Sequence, residues 1–341
     1  MSPIMNTALA YSPPAAAPSP RSRAAPPQLR VVDHPVQRMQ EIAGEFVSLI
    51  EEWASTAGNG IAMDQLAQRL INIVDSAPNI SLGHCPYVHT GSISMRHAYQ
   101  VAILSVHLCR MLRAPEAVVR ICVKAALMMN IASFGLQDEL STPWGRPTLA
   151  QRVQLARHPL LAAELVAATP GCEPRWKSAV EQHHEAMDGS GYPYALSGRQ
   201  ICPEARIIKV ADLWWALTHP RPPRTPKTPP DALHHLISRS QQQVDKSVLK
   251  ALRGLVGDYP PGALVRLANR EIALVPHWAR GGGPPRHVLS IFSARNTPLR
   301  EPSERDTRKA AFAVRSYASL PLMNLPKHFW KTAWSAACRC E

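Results

Sequence analysis

The sequence predicts a mainly α-helical protein: an all-α bundle with a small β-rich C-terminal extension and a disordered N-terminal tail. Three observations carry this. Apolar residues recur at helical spacing through most of residues 36–256, without the alternation of strands. The character changes at Tyr259-Pro260-Pro261-Gly262, after which short β-rich runs flank turn residues. The 33 prolines concentrate in residues 1–30 and in a hinge at His219–Pro230. The first of these stretches is a Pro/Ala/Ser segment that cannot pack a core. The resulting division is a tail over 1–34, an N-terminal helical segment over 35–80, a helical domain over 81–257 and the extension over 258–341.

The helices follow in order. Val36–Trp53 and Met63–Ile73 are periodic, with Leu66, Leu70, Ile71 and Val74 on one face. In Met95–Leu112 the stripe is Val101, Leu104, Leu108 and Met111, with His97 one turn before it. Pro115 opens the next helix, a favoured place for proline, and that helix runs through Val119, Val123 and Leu127 into Met128–Ile131. Thr148 and Gln151 read as a capping box for a helix carrying His158-Pro159. Trp176, Val180, His183/His184 and Met187 are expected on one face of a further helix. Pro203 begins the helix of Ile207–Leu217, which contains Asp212. Asp231–Ile237 and Val244–Val256 complete the bundle. Ala263–Leu267, Glu271–Val275 and His287–Phe292 are the expected strands, while the region of Phe329, Trp330 and Trp334 is too irregular to assign.

With 341 residues, 45% hydrophobic and 18% charged, the chain can bury a core of one large or two modest domains. The net charge of +13 suits an anionic ligand, but scattered Arg gives solubility charge equally well. There is no basic stripe interleaved with aromatics, so nucleic acid is not expected as a partner. No signal peptide or run approaching ~20 apolar residues is evident, so membrane insertion is not expected and a cytoplasmic place is. The seven cysteines are odd in number and read as reduced thiols. His84-Cys85 with His89, and Cys338 with Cys340, are weak metal candidates.

Chemistry concentrates in Gln182–Pro193, where His183-His184-Glu185 runs into Asp188-Gly189-Ser190-Gly191-Tyr192-Pro193. Adjacent imidazoles beside a carboxylate suit divalent cations held by nitrogen and oxygen. The glycines let the backbone leave at angles closed to other residues. Asp212, among Ile208, Val210, Ala211, Leu213 and Trp215, needs a cation or donors to stay ionised, since burying a bare charge costs several kcal/mol. His97 or His158 taken alone reads as an ordinary helix histidine. The second pair, His234-His235, has no glycine turn behind it and reads as helix surface.

Over Met95–Val275 the chain resembles the HD-GYP family, a bacterial branch of the HD-type phosphohydrolases that degrade cyclic di-GMP. The resemblance implies an HD-type all-α bundle with His97, His158, His183, His184 and Asp212 as metal ligands. It places Arg221 and Arg224 in the family's Arg-Pro-Tyr-Arg segment, against the nucleotide's phosphates. It also implies that Gly189, Ser190, Gly191, Tyr192 and Pro193 form a loop able to contact a diguanylate cyclase-type partner.

One segment departs from the pattern. The family's Leu-Leu-His-Asp-Ile-Gly-Lys aligns with Leu127–Ser133. Met129 therefore stands for a histidine ligand, Asn130 for the metal-bridging aspartate and Ser133 for the phosphate-steadying lysine. A neutral amide cannot replace a carboxylate that joins two cations. Losing a group that stabilises developing charge costs ~10²–10³-fold in rate. The expectation is a degenerate member that binds cyclic di-GMP or a related nucleotide, or a protein partner, with weak or no phosphodiesterase activity. One divalent ion, Fe or Mn, is expected, or none if the site is fully degenerate. Two other readings stay open: an active phosphohydrolase with a remodelled site, and a helical scaffold whose histidines bind nothing.

Overall fold

The computed structural model describes residues 34–53, 58–141, 147–219, 225–279, 283–321 and 323–338. Residues 1–33 of the expected tail, Arg221, Arg224 and Cys340 lie outside the described residues.

The bundle opens with α1 (Pro35–Trp53), which buries Val36, Met39, Ala43, Phe46, Ile50 and Trp53 at three- and four-residue spacing. Helix α2 (Gly60–Ser76) starts at Asn59, whose side chain accepts from the Ala62 amide. A short α3 (Pro78–His84), not anticipated from the sequence, leads through Cys85–Tyr87 to α4 (Ile93–Met111). Fourteen of the 19 residues of α4 are buried, so it is enclosed rather than amphipathic. It packs against α5 (Glu116–Met128), and against the later helices of Pro203–Thr218 and Lys246–Val256. Met111, placed in the sequence on the apolar stripe, is 48% exposed because the helix ends there.

From α5 the chain turns through Ile131–Ser133 into α6 (Phe134–Glu139), then into α7 (Leu149–Ala167) with its Thr148/Gln151 capping box formed. Next come α8 (Pro174–Glu181), α9 (Pro203–Thr218), α10 (Pro229–Arg239) and α11 (Lys246–Val256). Lys124 of α5, 2% exposed, meets Asp64 of α2 at 2.8 Å and lies over the Trp176 ring of α8, so its charge is paired although buried. The continuous run Glu116–Glu139 is long and apolar enough by composition to cross a membrane, contrary to the expectation of no such run. However, 78% of its apolar window is buried inside the molecule, as in the core helix of a globular domain.

The extension contains a five-stranded antiparallel sheet in the order β4-β3-β2-β1-β5. Its strands are β1 (Leu264–Leu267), β2 (Ile272–Leu274), β3 (His287–Phe292), β4 (Pro298–Asp306) and β5 (Val314–Tyr317). The first three match the sequence expectation; β4 and β5 carry too little apolar alternation to have been read. One face of the sheet (Leu264, Ile272, Leu274, Leu289, Ile291) joins the main core. The other face encloses a small core of Val265, Leu267, Ala273, Val275 and Val288.

The region of Phe329–Trp334 left unassigned in the sequence is a helix, α12 (Phe329–Ala337), so the extension is not purely β. One phenylalanine and two tryptophans in a short stretch hide the helical period, but Phe329, Trp330, Ala333, Trp334 and Ala337 share a buried face. The extension meets α3 backbone to backbone. A Cβ on Gly83 would lie 2.5 Å from the Trp334 ring and 2.7 Å from the Gly262 nitrogen. Gly262, at φ +84°, has the Gly83 oxygen 2.2 Å from its own would-be Cβ. Only glycine fits at either place.

Candidate metal centre

His158, His183 and His184 offer ring nitrogens that all lie within 4.8 Å of one another. Each of the first two is aimed by a carbonyl that the helix cannot use. Pro159 has no N–H, so the Leu155 carbonyl four residues earlier in α7 loses its helical partner. The Nδ1–H of His158 donates to that carbonyl instead. At the end of α8 the carbonyls are orphaned in the same way, and His183 Nδ1 donates to Val180 O at 2.6 Å. With the proton fixed on Nδ1, both Nε2 lone pairs are free, and they face each other at 3.2 Å. Two acceptors at that distance repel unless a cation lies between them.

The spacing fits such an ion. Nitrogens about 2.1 Å from a shared metal sit about 3.0 Å apart at a right angle and about 3.4 Å apart at the tetrahedral angle. Burial, reinforced by the neighbouring imidazoles, holds His183 well below the usual histidine range. Burial also pushes His184 down to about 3, with Asp212 opposing the shift. The rings are therefore neutral, the form that binds metal.

The paired histidines do not lie on a helix face, as the sequence reading expected. α8 ends at Glu181, and His183-His184 occupy the turn beyond it. The cause is Glu185, 2% exposed, whose two carboxylate oxygens accept from the Tyr194 amide at 2.7 Å and the Leu196 amide at 2.9 Å. Folding the Gly189–Pro193 loop back onto Glu185 stops the helix. Gly191 is required there, because a Cβ would lie 2.3 Å from the Ala186 nitrogen. Asp188 Oδ1 accepts from both the amide and the hydroxyl of Ser190. Tyr192 stacks on His184 with ring centres 4.7 Å apart and remains 37% exposed.

Asp212 pairs with His97, Nε2 to Oδ1 2.7 Å, a close contact that lies off the line of a good ring N–H hydrogen bond. Burial opposes ionisation of Asp212, but the close His97 imidazole outweighs it and holds the carboxyl well below the usual range. The Trp215 ring meets His97 edge-on at 4.3 Å and stacks on His219 at 4.6 Å.

The segment that departs from the family pattern is closed by side chains of the protein itself. Met129 is fully buried in the main core. Asn130 Oδ1 accepts from Gln137 Nε2 at 3.0 Å, and the same amide donates to Ser133 Oγ at 2.8 Å. The Ser133 hydroxyl in turn donates to the Asn130 carbonyl at 3.2 Å. The three histidines thus fit one cation, whereas the Asn130 position offers no charged oxygen for a second.

Residues 88–248 match the HD domain family. Over 220 residues the chain is 29% identical to a cyclic di-GMP phosphodiesterase of Pseudomonas aeruginosa, covering 64% of this chain and 53% of that protein. It is 32% identical over 138 residues to a cyclic di-GMP phosphodiesterase response regulator of Xanthomonas campestris, covering 40% of this chain and 36% of that one. An HD-GYP-type protein from Bdellovibrio bacteriovorus has the same fold, with TM-score 0.57 and 18% identity over 67% of this chain and 74% of the other.

The chain carries an HD domain. It spans about half the length of the Pseudomonas relative and less of the Xanthomonas one.

Two residues beside these histidines escaped the sequence reading. Lys209 lies one turn before Asp212 on α9, a spacing that puts both on one face. Its Nζ donates to the His184 carbonyl at 3.0 Å, and burial lowers its pKa while Asp212, Glu185 and Asp188 counteract the shift. The i−3 spacing was the available signal. Gln137 had none, because a glutamine on a short helix reads as surface.

Proposed function

We propose that this HD-GYP chain acts in cyclic di-GMP signalling as a nucleotide-binding or protein-interaction module that holds one divalent cation and hydrolyses weakly or not at all. The observation that carries this reading is the neutral Asn130–Gln137–Ser133 cluster, standing where the family pattern has a bridging carboxylate and a phosphate-steadying lysine. His158, His183 and His184 would hold the ion. When bound, a cation of this kind supplies Lewis-acid attraction for a phosphate oxygen. The chain's own residues do the rest: Lys209 adds an ammonium beside the triad, and Tyr192 covers the His184 ring. Fe or Mn suits the nitrogen and oxygen donors.

The relatives' names support cyclic di-GMP as the ligand class, and a related cyclic dinucleotide is the near alternative. A 3′3′-cGAMP-specific phosphodiesterase of Vibrio cholerae is 30% identical over 38% of this chain and 30% of its own length. The exposed Tyr192 and Tyr194 of the loop suit a protein partner of the diguanylate cyclase type. The second reading, an active phosphohydrolase with a remodelled site, draws on the intact histidine triad.

One experiment separates the two. Cyclic di-GMP binding is measured by calorimetry, and turnover is followed chromatographically with Mn²⁺ or Fe²⁺ supplied anaerobically. Binding without appreciable turnover is expected. A rate of ~1 s⁻¹ or faster, in the ordinary enzyme range, would overturn the degenerate reading.

A further inference from the structure

We infer that Gln137 is the residue that closes the second cation position of this site, by taking the place of a metal ion as the partner of residue 130. The inference rests on the one-cation reading above and names the side chain responsible for it.

Gln137 is half-buried on α6, four residues after Ser133 and seven after Asn130, so the three share one face of consecutive turns. Its –NH₂ group has two hydrogens, and both are used: one on Asn130 Oδ1 and one on Ser133 Oγ. Asn130 and Ser133 are 4% and 2% exposed, so water has little access to compete for these bonds. The Ser133 hydroxyl closes the ring onto the Asn130 carbonyl. The turn carrying Asn130 and Ser133 packs against α7, the helix that presents His158. A donor amide therefore points its positive N–H ends at Asn130 Oδ1, the oxygen that stands in the family pattern for one of a metal-bridging carboxylate. The cluster is neutral, mutually satisfied and hostile to a second positive charge.

This has a consequence for repair. A carboxylate restored at position 130 would accept the same Gln137 N–H, as a stronger, charge-assisted bond. Restoring the histidine and the aspartate alone would thus leave one carboxylate oxygen of residue 130 engaged by Gln137, so that the two oxygens are not both free to join two metals. A glutamine that merely capped α6 would have no such effect.

The test uses the full chain, dialysed to equilibrium against Mn²⁺, with bound metal counted by mass spectrometry. Four proteins are compared: the parent, Gln137→Ala, the double variant Met129→His/Asn130→Asp, and that double variant combined with Gln137→Ala. Gln137→Leu, which keeps the volume but lacks the N–H, replaces Gln137→Ala if the latter unfolds; circular dichroism and melting curves establish folding. The parent, Gln137→Ala and the double variant are expected to hold one ion each, and only the triple variant two. A second ion in the double variant would show that Gln137 closes nothing. A triple variant that stays level with the double overturns the inference equally. A parent that holds no ion defeats the one-cation reading separately, while the step between double and triple still decides the role of Gln137.

Discussion

His158 owes its aim to the residue that follows it. Proline at 159 withholds an N–H from Leu155, and the freed carbonyl takes the imidazole proton, leaving Nε2 bare toward His183. Replacing Pro159→Ala returns the missing N–H to the helix. The melting temperature should hold or rise, while Mn²⁺ affinity falls ~10–100-fold, the usual effect of losing the group that orients a ligand. Melting curves and metal titration on the same variant would check both halves; unchanged affinity would show that the His-Pro pairing does not aim the ring. Much of this level was legible in the sequence. The His-Pro pair, the double histidine and Asp212 stand out as residue types and spacings. The Glu185 clamp did not, because its partners are backbone amides at Tyr194 and Leu196, and the loop that brings them back cannot be read from composition.

Helix α9 shows what a single element contributes. Lys209, Asp212 and Trp215 follow one another by three residues, so one face carries an ammonium, a carboxylate and an indole toward the histidines. Lys209→Met should weaken cyclic di-GMP binding by ~10–100-fold, the range for a lost hydrogen bond to a charged group. It should also flatten the salt dependence of binding; Lys209→Arg should retain most of it. Titrations at low and moderate ionic strength test this, and an unchanged salt response would exclude Lys209 from contact with an anion. Long periodic helices such as α1, α2, α4 and α9 were legible from their sequences. Short ones were not. α3 and α6 have seven and six residues, too few to display a period, and α8 stops early because tertiary contacts at Glu185 override its pattern. The sheet was half legible, since only its three inner strands carry apolar runs.

Across the whole molecule, buried neutral histidines outside the site set the response to acid. His84 is fully buried with neither ring nitrogen bonded among the described residues, and burial pushes it down to about 3, helped by His89 and His34. His107, bonded to the Ser81 hydroxyl, is pushed down to about 4 by burial against a small opposing effect of Asp75. Both folded values lie below the ordinary ~6.5, so below that pH protons bind the unfolded chain more readily. Stability is complete above about pH 6.5 and is lost as pH falls toward the folded values, by roughly 1.4 kcal/mol per pH unit per group. His84→Phe should therefore flatten the decline in melting temperature between pH 7 and pH 5. A decline as steep as the parent's would assign the acid response to other groups.

The same region decides how this chain tolerates change over generations. At the crossing of Gly83 and Gly262 each backbone occupies the space where the other's side chain would begin, and the Trp334 ring closes over the contact. A single methyl on either glycine lifts the sheet off the bundle, and no adjustment at the opposite glycine can make room, since that residue has nothing left to give up. In any lineage that keeps this docking, the two positions are inherited as a pair. A descendant that loses one glycine has no reason to preserve the other, or the tryptophan above them.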